Sequence, residues 1–505
     1  MMSDTVLIFI PLLLFFLVLV FTMLWTERTR SRQFEAGRAF SGEYFLGSRS
    51  LSGFVLAMTL IATYGSVSSF VSGPGIAWKL GLGWVVFAAP QIIAGFFILG
   101  LLGKKMALVS RACGAITVTG LIDKRFGSRA LSIILSIALL LFFTAMMTGQ
   151  FIGGAAIFSE AAGISPEAGL LLFGALTVFY TAFGGFRAVA WTDMVCAILM
   201  LVGMVMLGSA VVSEAGGLTT AMARVAAAGL SDPARDISTS TMLSPNAGGA
   251  LPWTLLFSAW ILVGFGTAGL PQSAVRCMSY RTSGDLHRAM IVSTIVCGAL
   301  MVGVTTIGVL ARGIPGLELG GASTDHLIPR LIAQHMTPLE AGITLIGPLA
   351  ATMSTVSSLL IAASAAVVKD LLIAMRPEFE DKSRALLLAS RGTTLFLGVV
   401  AMIFALRPMD LVAWINMGAF GGLEIAFLLP LAGGLYWKRA TSAGCLISIA
   451  AGFAVYGWAL FMKPDLAGFH AIVPAFAAAA FFFVAGSLLT RDKENANLRY
   501  FFPQH

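Results

Sequence analysis

The sequence predicts an all-α protein that crosses a lipid bilayer thirteen times, and three observations carry that expectation. The first is composition: 58% of the 505 residues are hydrophobic and 11% charged, where a soluble domain carries roughly 25% charged residues. The second is that the apolar residues gather in runs long enough to cross hydrocarbon, which takes about 20 residues of helix. The third is that Lys and Arg sort to alternate sides of those runs. Together they exclude a soluble multidomain enzyme. The net charge of +8 lies in short stretches between the runs, not along one basic face that would suit nucleic acid.

The runs lie near 5–25, 52–72, 82–103, 130–156, 166–183, 188–212, 251–271, 289–311, 339–368, 392–406, 411–434, 441–462 and 469–490, and are numbered spans 1 to 13. Span 1, within MMSDTVLIFIPLLLFFLVLVFTMLW, has no basic leader and no small-residue cleavage site after it, so a retained helix is expected, not a signal peptide. With the N-terminus outside, 25 of the 32 Lys and Arg fall on the inner side and 7 on the outer. A miscount of one span would scramble the sides downstream of it. The expectation is therefore a multi-pass protein of the cell (inner) membrane with an outer N-terminus and a cytoplasmic C-terminus.

This divides the chain into 1–50 (N-terminus, span 1 and first inner loop), 51–213 (spans 2 to 6), 214–250 (outer loop), 251–436 (spans 7 to 11) and 437–505 (spans 12 and 13 with a short tail). In the outer loop GGLTTAMARVAAAGL suits one surface helix, whereas KDLLIAMRPEFEDKSR continues span 9 into water and ends at Arg376-Pro377. Cys113, Cys196, Cys277, Cys297 and Cys445 are scattered without CxxC spacing, so neither a disulfide nor a structural metal is expected.

Two helices read as broken. In span 2, LAMTLIATYGSVSSFVSGPG, the helix is weakened by Gly65, by Ser66, Ser68 and Ser69, and by Gly73-Pro74-Gly75. In span 7, WILVGFGTAGLPQ, Gly264, Gly266, Gly269 and Pro271 do the same. Glycines in one such helix suit close packing equally well. Their matching positions in two sets of five spans, which an odd number inverts, point to a five-plus-five inverted repeat with its site at the breaks.

A sodium ion takes hard oxygen ligands. On span 9, in GPLAATMSTVSSLLIAASAAVVKD, Ala351, Ser354 and Thr355 share one face at i, i+3 and i+4. Against the break in span 2, that face and the carbonyls of Ala62 and Gly65 complete an oxygen shell; Ser and Thr at this spacing also serve ordinary packing. Asp193 and Glu424 are acids inside apolar runs, where ionisable groups are costly. Asp193 in RAVAWTDMVC has an account as a carboxylate near the cytoplasmic interface, interacting with the helix start or Arg187, and Glu424 in FGGLEIAF is expected to hydrogen-bond a neighbouring helix.

Nucleotide chemistry has no support, since LGLLGKK and GPGIAW lack the glycines, and the first also the Ser/Thr, of phosphate-binding loops. The five histidines show no HExxH and none lies well inside a span, so no hydrolase is expected and the protein is not an enzyme.

The stretches EYFLGSRSLSGFVLAMTLIATY, SSFVSGPG, GLGWV, LGKK, QFIGGA, YTAFGGFRAV, GLPQSAVRCMSY, MSTVSS, FGGLEIAF and GLYWKRA run almost end to end. In this order the chain resembles the sodium:solute symporter family. The resemblance implies a LeuT-like core of spans 2 to 11 and sodium as the coupling ion, held by Ala62, Gly65, Ala351, Ser354 and Thr355, with Asp193 on the ion's cytoplasmic path. EYFLGSRS, AVRCMSY and GGLEIAF point within the family to import of the small anion pantothenate. Proline or a short monocarboxylate is the alternative solute. A membrane sensor is a further reading, against which the tail RDKENANLRYFFPQH is too short for a signalling domain. Candidate solute contacts are Ser68, Ser69 and Thr267, then Tyr64, Gln91 and Gln150. Two residues depart from the family pattern: Cys196, where glutamine often follows WTD, and Gln272, where histidine often follows GLP.

Overall fold

The computed structural model describes residues 4–35, 40–228, 242–319, 323–379, 382–407, 412–492 and 495–503. The expectations touching Arg38, Arg235, the start of span 11 at 411 and His505 lie outside these. Among the described residues every element longer than a turn is helical, and ten helices are long and apolar enough to cross a membrane, or twelve if each of two bent pairs is one span.

Several helices outrun the apolar runs that signal them. The first covers Asp4–Glu35, and the helical stretch that begins as span 3 continues to Cys113 through Lys104 and Lys105. Hydropathy marks the hydrocarbon, while backbone hydrogen bonding carries the helix on into water. Spans 5 and 6 fall in one helical stretch, Pro166–Glu214, of 49 residues. At about 1.5 Å per residue it would be more than twice the roughly 30 Å hydrocarbon thickness. Gly185 interrupts it with φ 71° and ψ 178°, a backbone open to glycine. Within 214–250 a helix forms over Leu218–Ala227, and span 9 with its extension covers Pro338–Leu372 and ends at Met375.

Span 9 is central: 89% of its most apolar window is buried, against 22% for the first helix. The latter presents Leu13, Leu14, Leu17 and Phe21 outward, as a lipid-facing helix does. Small residues set the close approaches elsewhere. Gly308 lies so near span 2 that a Cβ there would come within 2.1 Å of the Pro74 carbonyl oxygen.

The two bent pairs are Gly53–Tyr64 with Ser68–Leu80, at 66°, and Trp253–Gly269 with Pro271–Met278, at 51°. In the first, Gly65 turns to an extended ψ of 115° and its N–H still reaches Ile61 O. The freed Val67 N–H donates to Gln150 Oε1 of span 4 at 3.0 Å. In the second, Gly264 leaves helical geometry (φ −101°, ψ −108°), the Thr267 hydroxyl donates to its carbonyl at 2.5 Å, and extended Leu270 precedes Pro271. Away from water each such group needs a partner within the protein. The entry to span 2 and the exit from span 7 are laced together, Leu51 N–H donating to Ser279 O at 3.1 Å and Gly53 N–H to Asp285 Oδ1 at 2.9 Å.

Candidate functional site

The hydroxyl-bearing face of span 9 lies against the break in span 2. Ser354 Oγ donates to Ala62 O at 2.8 Å and lies 3.1 Å from Ala351 O. Thr355 Oγ1 lies 2.9 Å from Ala351 O, 3.2 Å from Gly65 O and 3.4 Å from Thr63 O. Ala62, Ala351, Ser354 and Thr355 are buried. The cluster is made of carbonyl and hydroxyl oxygens, the donor chemistry of a hard, weakly charged cation. A Cβ on Gly65 would come within 2.6 Å of the terminal methyl of Met200 and 3.2 Å of Ile61 O, so the break is closely packed. Among the described residues no group of three or more His, Cys, Asp or Glu side chains is placed to hold a metal ion.

Asp193 does not pair with Arg187. Arg187 pairs with Glu43 at 3.2 Å, whereas Asp193 is buried, with Oδ2 accepting from Thr59 Oγ1 at 2.6 Å and from Arg276 Nη2 at 3.1 Å. Arg276 sits in the AVRCMSY stretch, and its charge reads from the sequence as one of the inner-loop cations. Its side chain is 1% exposed. Besides Asp193 it donates to Gln272 O at 2.5 Å and to Ser358 Oγ at 2.8 Å. Ser358 in turn is 2.8 Å from Thr63 Oγ1. A polar chain therefore runs from the residue beside the oxygen cluster through Ser358 and Arg276 to Asp193. The departures Cys196 and Gln272 are both buried near this chain.

Glu424 also differs from expectation: it is fully buried, but neither carboxyl oxygen has a hydrogen-bond partner among the described residues. It packs against Gly266 and Gly269 of span 7.

A cavity of about 630 Å³, open solvent at its mouth included, adjoins the break in span 2. Four of the six candidate solute contacts line it, namely Tyr64, Ser68, Ser69 and Gln91, together with Ser66, Asn416, Thr305, Trp84, Phe87 and Phe420. None of its lining side chains is ionisable except the Tyr64 phenol, whose hydroxyl donates to Val263 O at 2.7 Å. Thr267 and Gln150 are outside it, and both hydrogen-bond the backbone at the breaks. Asn416, which bonds Ser68, is absent from the sequence-derived set. A second cavity of about 440 Å³ is lined by Ser358, Arg276, Thr117 and Asp370. Tyr64 and Ser66, which flank Gly65, line the first cavity, and Ser358 and Arg276 line the second.

Two cavities, one lined by residues flanking Gly65 and the other by Ser358 and Arg276, in a chain of long apolar helices with a buried oxygen cluster at the break of span 2, fit a multi-pass membrane transporter. The comparisons give its family. Residues 44–452 match the sodium:solute symporter family, and the chain is 40% identical over 481 residues to the sodium/pantothenate symporter of Escherichia coli (strain K12), covering 95% of this chain and 96% of that one. It is 40% identical over 451 residues to the sodium/pantothenate symporter of Haemophilus influenzae, covering 89% and 90%. An osmoregulated proline transporter of Bacillus subtilis is 29% identical over 478 residues, covering 91% and 92%. Among solved structures a Na+-coupled sialic acid symporter in a substrate-bound outward-open state superposes with a TM-score of 0.77 at 17% identity, covering 97% and 99%. A nucleobase-cation-symport-1 family transporter does so at 0.55 and 15%, covering 90% and 97%. The chain belongs to the sodium:solute symporter family: it is a transporter, not an enzyme, and sodium is its coupling ion.

Proposed function

We propose that the protein imports pantothenate, using the sodium gradient, by alternating access. The observation that carries this reading is the convergence of Ala62, Gly65, Ala351, Ser354 and Thr355 into one buried oxygen cluster, in a chain 40% identical to pantothenate symporters over nearly its whole length. Sodium bound there would tie the break in span 2 to span 9 and favour one state, and coupling is then differential binding to two states. Asp193 and Arg276 lie on the ion's way to the second cavity. The solute occupies the first cavity, with Ser68, Ser69, Gln91 and Asn416 as polar contacts. A carboxylate there is met by hydroxyl and amide donors and by the free N–H groups of half-helices instead of a full positive charge.

The finer architecture belongs to the same proposal. Dividing Pro166–Glu214 at Gly185 and taking each bent pair as one span gives thirteen spans, with five-plus-five inverted repeats over 51–213 and 251–436. The N-terminus is then outside and the C-terminus in the cytoplasm, in the cell inner membrane.

Uptake of labelled pantothenate into vesicles tests the function. An inward sodium gradient should drive accumulation that potassium alone does not. Competition with unlabelled pantothenate, proline and short monocarboxylates identifies the solute, and a sodium gradient that drives accumulation of labelled proline but not of labelled pantothenate would replace the assignment.

A further inference from the structure

The unpartnered acid on span 11 is not accounted for by the sodium cluster or the solute cavity. Burying an ionised carboxylate with no partner costs several kcal/mol even after relaxation, so something must neutralise Glu424. The break in span 7 decides what. The point that a Cβ on Gly266 would occupy is 2.6 Å from Glu424 Oε2 and 2.1 Å from the carbonyl oxygen of Ile261. An acid oxygen and a backbone oxygen thus crowd the same glycine. The Ile261 carbonyl already accepts from the Phe265 N–H, which leaves it a second lone pair.

The titratable groups that bear on Glu424 are Tyr64 from span 2 and Tyr456 from span 12. Neither supplies a hydrogen: Tyr64 donates to Val263 O at 2.7 Å, and Tyr456 has Gly418 O and Met417 O at 3.3 and 3.5 Å. No Lys, Arg or His among the described residues reaches the carboxyl. A sodium ion would need a shell of several oxygens converging on it, and Glu424 lines neither cavity. A proton needs no such room.

The geometry points to Glu424 as a proton-binding site built into the joint between span 11 and the broken segment of span 7. In the arrangement shown, the carboxyl holds the proton as an O–H facing the backbone oxygens of the break. Proton loss breaks that O–H bond, passes the proton to water and leaves a carboxylate that this packing repels. Water enters, on this proposal, past one aromatic pair. Phe420, one turn before Glu424 on the same helix, lines the solute cavity and meets the Tyr64 ring at 6.5 Å between centroids. Parting those rings opens the cavity toward Glu424. Proton exchange is thereby tied to movement of span 7 against span 11, and pH shifts the balance of transport states without touching the sodium ligands.

Infrared spectra of the purified full-length protein, grown with isotope-labelled glutamate, test the site without any solute, so an error in the proposed solute cannot imitate a failure here. At neutral pH the wild type should show a protonated-glutamate carbonyl stretch that Glu424→Gln loses. A wild-type spectrum without such a stretch overturns the proposal whether or not the variant folds, as does a stretch that persists unchanged in a folded Glu424→Gln. Gly266→Ala, which sets a methyl between the two oxygens, should shift the band, and an unmoved band breaks the link to span 7. In vesicles under a fixed sodium gradient, wild-type uptake should fall as pH rises through the band's midpoint while Glu424→Gln loses that dependence. Parallel pH profiles would refute the coupling to transport.

Discussion

Removing one hydroxyl from the oxygen cluster should raise the sodium requirement steeply. Ser354 Oγ bridges Ala62 O and Ala351 O, and Thr355 Oγ1 bridges Ala351 O and Gly65 O. Ser354→Ala therefore deletes one ligand and leaves the Ala62 carbonyl without its partner from span 9. A polar contact to a charged group is worth about 1.5–3 kcal/mol, and 1.4 kcal/mol is tenfold in affinity. Half-saturating sodium should then rise roughly 10- to 100-fold for either single variant. The double variant should not multiply the two factors, because neighbours sharing one ligand cage couple. The assay is uptake against sodium concentration in vesicles with equal amounts of each protein. Thr352→Ala is the matched control: it is buried on the same helix, but its hydroxyl donates back to Pro348 O at 2.8 Å. If Ser354→Ala and Thr355→Ala bind sodium like Thr352→Ala, the cluster is not the ion site.

Three further outcomes follow from other parts of the fold. Asp193→Asn leaves the Arg276 guanidinium buried without its counter-charge and should lower stability by about 3–5 kcal/mol, whereas Asp193→Leu combined with Arg276→Met should lose less; melting in detergent compares them. Gly308→Ala would drive a methyl to 2.1 Å from Pro74 O and should cost about 1–3 kcal/mol, while Gly392→Ala, with nothing within 4 Å of the new methyl, should not lower the melting temperature. Burial holds the His470 imidazole, which lies just before the last long helix, at about 4, and its Nδ1 accepts the Ile472 N–H at 3.2 Å. A folded value below the unfolded one stabilises above the unfolded value, so stability should fall by up to about 3 kcal/mol as pH drops from about 6.5 towards 4, and a melting profile of His470→Asn should lack that loss.

The oxygen cluster was legible because its parts are local. Gly65 breaks one helix, and Ala351, Ser354 and Thr355 share one face of another by spacing alone. Arg276 was not legible as a core residue, because its partner Asp193 lies 83 positions away and a cation between apolar runs reads first as a topology signal. The solute contacts divide for a different reason. Wherever a helix opens inside the protein, its freed N–H and C=O groups must be satisfied by something, and nearby polar side chains serve that need before any solute. Gln150 is taken by Val67 N–H, Thr267 by Gly264 O and Tyr64 by Val263 O. In sequence these look the same as the residues left over, since all are polar groups beside a break. Only their partners separate repair from recognition. On the proposed reading, discrimination between solutes would rest on the cavity's other polar side chains, chief among them Ser69, Gln91 and the Ser68–Asn416 pair, whose amide oxygen has no partner among the described residues.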